Sequence, residues 1–493
     1  MRAERFRAVA RARLADEIGT LHADAPERVA LLYPSPYSVG MSSLGFQQIY
    51  RLIHAMPGRS AERAFLPDDV EAQRRARVPL FTYESQRPVG DFPIVALSVA
   101  YELELAGVIQ PLELAGLPPL ASDRDERHPF VLCGGPLTFS NPLPLAPFAD
   151  AILVGEADQT IGLALDVLFA CASKDEARAV LAREVPGCFV PDRHGEALPA
   201  VAKADHALLP AFAAIRTPHT ELRDMFLIEA ERGCSRGCAY CVMRRSTNGG
   251  MRIVPMERIL SLVPDDARRV GLVGAAVSDH PKIAEIVETL AGQGREVGLS
   301  SLRPDRLNDR FVAALKAAGY RTLTTASDGA SQRLRDALAR KARERHLVKA
   351  AELARAHGMR LKIYMMLGLP EETDEDVDEL VRFATELSRI VPLSLGIAPF
   401  VSKRNTPLDG LPFAGIKLVD ERLKRLRAGV KGRVDVRATS ARWAWIEWAL
   451  AQGGPAEGRA IVDALANGGS FAAWQRALDG AASRPRRALS VVA

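Results

Sequence analysis

Short apolar runs recur along the chain, each broken by glycine or proline and followed by a stretch in which apolar positions return every three to four residues. Val29-Ala-Leu-Leu-Tyr33 is the first; Pro34-Ser-Pro36 punctuates it, and helical periodicity resumes from Gly40 to Ile53. Ile94–Val99 precedes a helical pattern at Glu102–Leu114, Phe130-Val-Leu-Cys133 stops at Gly134-Gly135-Pro136, and Ala149–Val154 ends at Gly155-Glu156. Runs of that length read as buried strands, and strands alternating with amphipathic helices predict a parallel, doubly wound sheet. Residues 1–170 therefore read as a Rossmann-like (flavodoxin-like) α/β domain whose ligand loops lie at the strand C-termini.

Pro186-Gly187, Pro191, Pro210 and Pro218 interrupt the next stretch, and 171–222 reads as an irregular connector. A second alternating series follows, with strands expected at Phe226–Ala230, Val270–Val273, Glu296–Ser301, Arg321–Ala326, Leu361–Leu367 and Leu393–Ala398. Helical patterns such as Asp305–Ala318 and Ser331–His357 lie between them. Six β/α repeats within 223–415 suit a partial (β/α)6 barrel, since the full eight-fold barrel needs roughly 250 residues. Ser402–Gly415 reads as loop, and 416–493 as a helical C-terminal region that gathers Trp443, Trp445, Trp448 and Trp474. Their simplest role is to pack a helical cap.

Composition adds bounds. The chain has 493 residues, 48% hydrophobic and 25% charged, enough for several cores and too apolar for long disorder. No run of eighteen apolar residues occurs, and Met1–Leu14 builds no apolar signal core, so the expectation is a cytoplasmic protein with no membrane partner. The 65 Lys and Arg against 60 Asp and Glu leave a charge of only +5, spread without blocks. Nucleic acid is not an expected partner on that ground.

Candidate chemistry concentrates in the cysteines. Cys133, Cys171 and Cys188 stand apart and read as core thiols, whereas Cys234, Cys238 and Cys241 crowd into eight residues, just after the first strand of the second series. Three thiolates at spacings of four and three let one loop wrap a single inorganic cluster, and thiolate is the soft ligand that iron–sulfur clusters require. Gly233 and Gly237 leave room for the backbone to approach the cluster sulfides. With no fourth cysteine nearby, one iron would lack a protein ligand. The competing reading is zinc completed by a distant His, although zinc loops favour paired Cys-x-x-Cys units. His280 and His346 near strand ends read as proton donors or as helix caps.

The string Cys234-Ser-Arg-Gly-Cys238-Ala-Tyr240-Cys241 resembles the radical SAM signature Cys-x-x-x-Cys-x-aromatic-Cys, with Tyr240 in the aromatic position. The resemblance implies a 4Fe–4S cluster held by Cys234, Cys238 and Cys241, and S-adenosylmethionine chelated by the open iron. It also implies one-electron cleavage to a 5′-deoxyadenosyl radical, and reduction by a small flavodoxin or ferredoxin. Further cofactor contacts carry over by position. Gly274-Ala275 stands where the family has a Gly-Gly-Glu-like turn, here without its acid, and Asp279 lies slightly beyond. Ser301 and Arg303 end the third strand, and Asp328, in place of a longer acid, would face a ribose hydroxyl. Ser331 and Arg333 follow the fourth strand, where an Arg would pair with the methionine carboxylate; Gly368 opens a turn near the adenine.

The segments Tyr33-Pro34, Gly40–Gly45, Ser98, Tyr101-Glu102, Gly134-Gly135-Pro136, Gly155-Glu156 and Phe400–Pro407 narrow the resemblance. They are similar to an uncharacterised bacterial subgroup that joins a cobalamin-binding-like domain to a radical SAM barrel. Ser98, Gly134 and Gly135 would then line the nucleotide tail of cobalamin. The loop Pro34–Gly40 lacks the His of Asp-x-His-x-x-Gly domains, and a scaffold without cobalamin fits the same pattern. Methyl transfer from methylcobalamin to an unknown substrate is one outcome. A methylthiotransferase acting on RNA or protein, with a second cluster on Cys133, Cys171 and Cys188, and a non-catalytic metal-binding protein are the alternatives. No residue is assigned a catalytic proton role.

Overall fold

The computed structural model describes residues 2–22, 24–243 and 250–481. The chain forms two compact units, Met1–Met225 together with Gly453–Ala493, and Phe226–Gln452. The expected C-terminal helical region is thus divided between them, and its last residues, 482–493, lie outside the described ones. No helix among the described residues is long and apolar enough to cross a membrane.

The first unit is built on one six-stranded sheet: β1 (Glu27–Tyr33), β2 (Arg59–Phe65), β3 (Ile94–Ser98), β4 (Phe130–Gly134), β5 (Ala151–Leu153) and β6 (Cys188–Phe189). The strand order β2-β1-β3-β4-β5-β6 puts the switch point between β1 and β3, as expected for a flavodoxin-like sheet. All pairs are parallel except β5 with β6. The helix Leu44–His54 shows why the periodic pattern works. Ser43 caps it by accepting from the Phe46 amide, and Phe46, Tyr50 and Ile53 on one stripe are fully buried against the sheet.

The apolar pattern misses β2 because Arg59-Ser-Ala-Glu-Arg-Ala-Phe65 carries three charges. Tertiary partners neutralise them. Arg63, fully buried, meets Glu17 at 2.7 Å and Glu84 at 2.6 Å and lies over the Tyr50 ring. A buried guanidinium without those carboxylates would cost several kcal/mol. The segment expected as irregular connector also contains structure. Ser173 caps a helix at Lys174–Glu184, and Cys188–Phe189 adds an antiparallel edge to the sheet. Its prolines fall outside both elements, so the pattern of breakers overstated the disorder.

Helices Pro455–Ala466 and Phe471–Ala481 belong to this first unit. Gly458 sits so close to the Pro144 carbonyl that a Cβ would come within 2.2 Å of it, and Asn141 Nδ2 donates to the Gly453 carbonyl at 2.7 Å. Trp474 is buried there, but the four tryptophans do not gather in one cap: Trp443, Trp445 and Trp448 belong to the second unit, and Trp443 is exposed.

The second unit contains β7 (Met225–Glu229), β8 (Glu231–Gly233), β9 (Met251–Ile253), β10 (Arg269–Val273), β11 (Glu296–Leu299), β12 (Thr322–Asp328), β13 (Arg360–Leu367), β14 (Leu393–Pro399) and β15 (Asp435–Ala438). They form a sheet β11-β10-β7, a parallel sheet β12-β13-β14-β15 and a hairpin of β8 with β9. A single parallel bridge, Leu302 with Thr325, links the two larger sheets. The six expected strands are present within a few residues of their predicted ends. The seventh, β15, falls where the sequence read as helix, because Asp-Val-Arg-Ala is short and half charged. Along β12 and β13, alternate side chains are buried and partly exposed, so Leu361, Ile363, Met365 and Leu367 pack outward while Lys362 and Tyr364 face the other way. Helix Asp374–Ile390 starts at a capping box of Thr373 and Asp376, with three acids in its first turn to meet the helix dipole.

Candidate metal centre and cofactor pocket

The cysteine loop leaves the hairpin strand β8 at Gly233, whose φ of +97° suits glycine and turns the chain away from the strand. Glu229, at the end of β7, clamps Arg232 of β8 through contacts of 2.6 and 2.9 Å. Farther along, the Ala239 amide donates to the Leu338 carbonyl, and the Cys241 amide closes a tight turn onto the Cys238 carbonyl at 3.2 Å. Cys238 is buried, Cys234 and Cys241 are half-buried, and none of the three is in a disulfide.

All three cysteines line one cavity of about 240 Å³, together with Tyr240, Ala275, Ser301, Arg303 and Asp328. Eight of the expected site residues therefore converge from the cysteine loop and the C-terminal ends of β10, β11 and β12. Among the described residues, no three His, Cys, Asp or Glu side chains converge on a single ion. Three thiols lining one cavity suit a cubane cluster, in which each thiolate would take its own iron. The donors fit as well. Arg303 Nη2 stands 3.0 Å from Cys234 Sγ, and the Arg236 amide donates to the same sulfur at 3.4 Å, so two N–H donors already face this sulfur.

Tyr240 and Asp328 form one unit of the pocket wall. The Tyr240 hydroxyl donates to Asp328 Oδ2 at 2.7 Å, and Arg340 pairs with the same oxygen. Burial, followed by the Asp328 charge, pushes the Tyr240 phenol up, so it stays a neutral donor. Asp328 adopts a φ of +65°, a conformation that costs of order 1 kcal/mol outside glycine.

The turn after β10 has an acid after all, supplied by another strand. Fully buried Glu231 on β8 accepts from the Ala276 amide at 2.6 Å, and a Cβ on Gly274 would lie 2.3 Å from the same carboxylate oxygen. Burial, only partly opposed by that hydrogen bond, pushes the Glu231 carboxyl up to about 7. Ser300 closes the turn from β11, accepting from the Gly274 amide and donating to its carbonyl. Neither residue was predicted; a Glu at that point in a strand reads as an exposed charge. Tyr364, Thr324 and Thr325 also line the cavity unpredicted. The Tyr364 ring lies over Gly396, where a Cβ would approach within 2.7 Å, and Lys362 Nζ donates to its hydroxyl at 2.9 Å.

Four expected cofactor residues do not line this cavity. Gly274 turns its α-carbon toward Glu231. Arg333 is half exposed and held by the Glu371 carbonyl and Asp376, so a salt bridge already takes the charge assigned to a methionine carboxylate. Ser331 is fully buried, caps the helix Gln332–Ala337 and donates to Asp376 at 2.5 Å. Gly368 adopts φ +80° and donates its amide to Glu372 at 3.0 Å. His280 and His346 are caps: His280 bridges the Val254 carbonyl and the Lys282 amide, and His346 accepts from the Arg343 amide.

In the first unit, Ser98 and Gly134 end neighbouring strands in register. Gly135 has φ +104°, and a Cβ there would meet the Val99 carbonyl at 2.6 Å. Its own chain, and not a ligand, makes the close approach that demands glycine. At the switch point Glu104 accepts from the Ala100 amide at 2.7 Å and the Ser35 hydroxyl at 3.1 Å. His54 is engaged with Ala61. Cys133 and Cys188 are buried, and burial pushes each thiol up to about 12, while Cys171 is half-buried at a helix end.

Comparison with known proteins agrees with this geometry. Residues 45–191 match the family of radical SAM proteins, N-terminal, and residues 228–384 match the radical SAM superfamily. The chain is 25% identical over 417 residues to the uncharacterized protein MJ0966 of Methanocaldococcus jannaschii, covering 81% of this chain and 84% of that one. It is 27% identical over 223 residues to the ribosomal protein uS12 methylthiotransferase RimO of Geotalea uraniireducens, covering 41% and 47%. In fold it resembles the radical S-adenosylmethionine methyltransferase TsrM of Kitasatospora setae, solved with cobalamin and a [4Fe-4S] cluster bound. The TM-score is 0.52 at 13% identity, over 80% of this chain and 78% of that one. The chain belongs to the radical SAM superfamily of enzymes and carries, over residues 45–191, the N-terminal family of radical SAM proteins.

Proposed function

We propose that this enzyme cleaves S-adenosylmethionine reductively and uses the resulting 5′-deoxyadenosyl radical to abstract hydrogen from a bound substrate, with methyl transfer as the onward reaction. The observation that carries the reading is the set of three free thiols around one cavity walled by the ends of β10, β11 and β12. When bound, the cluster supplies the electron and the open iron that this chemistry needs. The chain's own residues would position and exclude. Cys234, Cys238 and Cys241 hold the cluster; Asp328, paired with Arg340 and aligned by Tyr240, is an acceptor for a sugar hydroxyl; Ala275 and Ser301 shape the wall beside it. Thr324 and Tyr364 face the same space from the far side, where a substrate would lie.

Cobalamin in the first unit is supported by the likeness of fold to TsrM. It would be held beside Ser98 and Gly134 without a protein imidazole, since His54 is engaged elsewhere. When bound it would supply a transferable methyl group.

Anaerobically prepared protein should hold about four irons per chain, lost on replacing Cys234, Cys238 and Cys241 with Ala. With dithionite it should convert S-adenosylmethionine to 5′-deoxyadenosine and methionine. Stoichiometric zinc with little iron, or an intact sulfonium after reduction, would refute the reading. Cobalt retained after desalting from hydroxocobalamin tests the first unit separately.

A further inference from the structure

One enclosed carboxylate near the cysteine loop has no role in the proposal above. Asp279 closes the short turn Val277–Asp279 after β10, with its side chain 2% exposed. Ser235 Oγ donates to it at 3.1 Å, Arg236 Nε at 3.2 Å and Arg306 Nε at 3.1 Å, and Arg303 Nε stands 3.4 Å away. Two of these groups belong to the cysteine loop and two to the segment after β11. Asp305 takes the remaining arm of Arg236 at 2.7 Å, so two acids serve three guanidinium groups.

The arrangement fixes the direction of one of them. The Arg303 amide donates to Ser278 Oγ at 2.9 Å, which anchors its backbone to the turn that carries Asp279. Arg303 Nε lies 3.4 Å from the Asp279 carboxylate, an ion pair without a hydrogen bond, and another arm of the same guanidinium, Nη2, meets Cys234 Sγ at 3.0 Å. Because the guanidinium is planar, charge attraction on its Nε edge biases where the opposite edge points.

We infer that Asp279 is a positioning residue: it aims the Arg303 guanidinium at the Cys234 sulfur, and this charge-assisted N–H···S contact raises the reduction potential of the cluster. The cluster gains one electron from an external reductant, with no bond made or broken in the protein, and the added negative charge strengthens a hydrogen bond from a cation. Losing that bond destabilises the reduced form more than the oxidised one. The inference rests on the cluster reading and adds a redox-tuning pair to it.

Its test is an anaerobic dithionite titration of the iron-loaded protein, followed by electron paramagnetic resonance. Arg303→Met and Asp279→Asn should each shift the midpoint to more negative values, and the double variant should shift it no further than Arg303→Met alone. Arg306→Gln, which loses a contact to the same carboxylate but touches no sulfur, should keep the wild-type midpoint. If Asp279→Asn holds less iron, Arg303→Lys, which keeps the charge, should still give a smaller shift in the same direction. An unchanged midpoint in Arg303→Met overturns the inference, as does a shift in Arg306→Gln equal to that in Asp279→Asn. Wild-type protein that binds no iron would instead remove the cluster reading itself.

Discussion

Glu231 sits beneath the turn Gly274–Ala276 with one hydrogen bond to its carboxylate and burial that pushes its carboxyl up to about 7. The unfolded chain gives up this proton near the ordinary Glu value of about 4.3. Between those values the folded state binds more protons, so stability falls as pH rises, by up to about 3 kcal/mol at pH 8. Glu231→Gln keeps the acceptor without the charge. Its stability should match the parent's at pH 4 and exceed it at pH 8, as read by urea unfolding at both values. Equal pH dependence in the two proteins would show that the carboxyl ionises freely. Arg333 presents the opposite case, a cation whose place in the chain suggests the cofactor and whose partner is Asp376. Surface pairs are worth at most about 1 kcal/mol. Arg333→Ala should therefore leave the dissociation constant for S-adenosylmethionine within about three-fold of the parent's, and a ten-fold loss by calorimetry would return Arg333 to the site.

Strand ends and turns carry the constraints at the next scale. Gly135, between β4 and the short turn Pro136–Phe139, has both a positive φ and the Val99 backbone where a side chain would go. Gly135→Val combines backbone strain of order 1–3 kcal/mol with overpacking of similar size, so the loss should be about 3 kcal/mol or more in chemical denaturation. A loss below about 1 kcal/mol would mean that the strand ends move apart easily, leaving room for a ligand. The elements that sequence patterning missed were masked by charges or by breakers. In β2 the charges that mask the strand pattern are answered by partners elsewhere in the chain, Glu17 and Glu84 for Arg63, whereas in β15 Arg437 pairs with Asp435 of the same strand. Helix Lys174–Glu184 was hidden instead by the prolines that follow it.

Across the whole molecule, Cys133 and Cys188 sit inside the first unit's core with thiols pushed up to about 12, and Cys171 stands at a helix end. Replacing all three with Ser or Ala should leave the iron content of anaerobic protein unchanged while lowering stability through lost packing. A fall to half the iron would indicate a second cluster and favour methylthiotransferase chemistry. The order of strands and helices and the gathering of Cys234, Cys238 and Cys241 at one cavity were readable from residues close together in the chain. Apolar periodicity is set within one element, and three thiolates in eight residues must share one loop. What tertiary structure decided are the pairings across long separations. Glu231 reaches the turn after β10, Asp279 turns Arg303 toward Cys234, and Arg333 is drawn away from the cavity by Asp376. A charged side chain carries no mark of its partner in the sequence, and its role depends on which opposite charge the fold brings within about 4 Å.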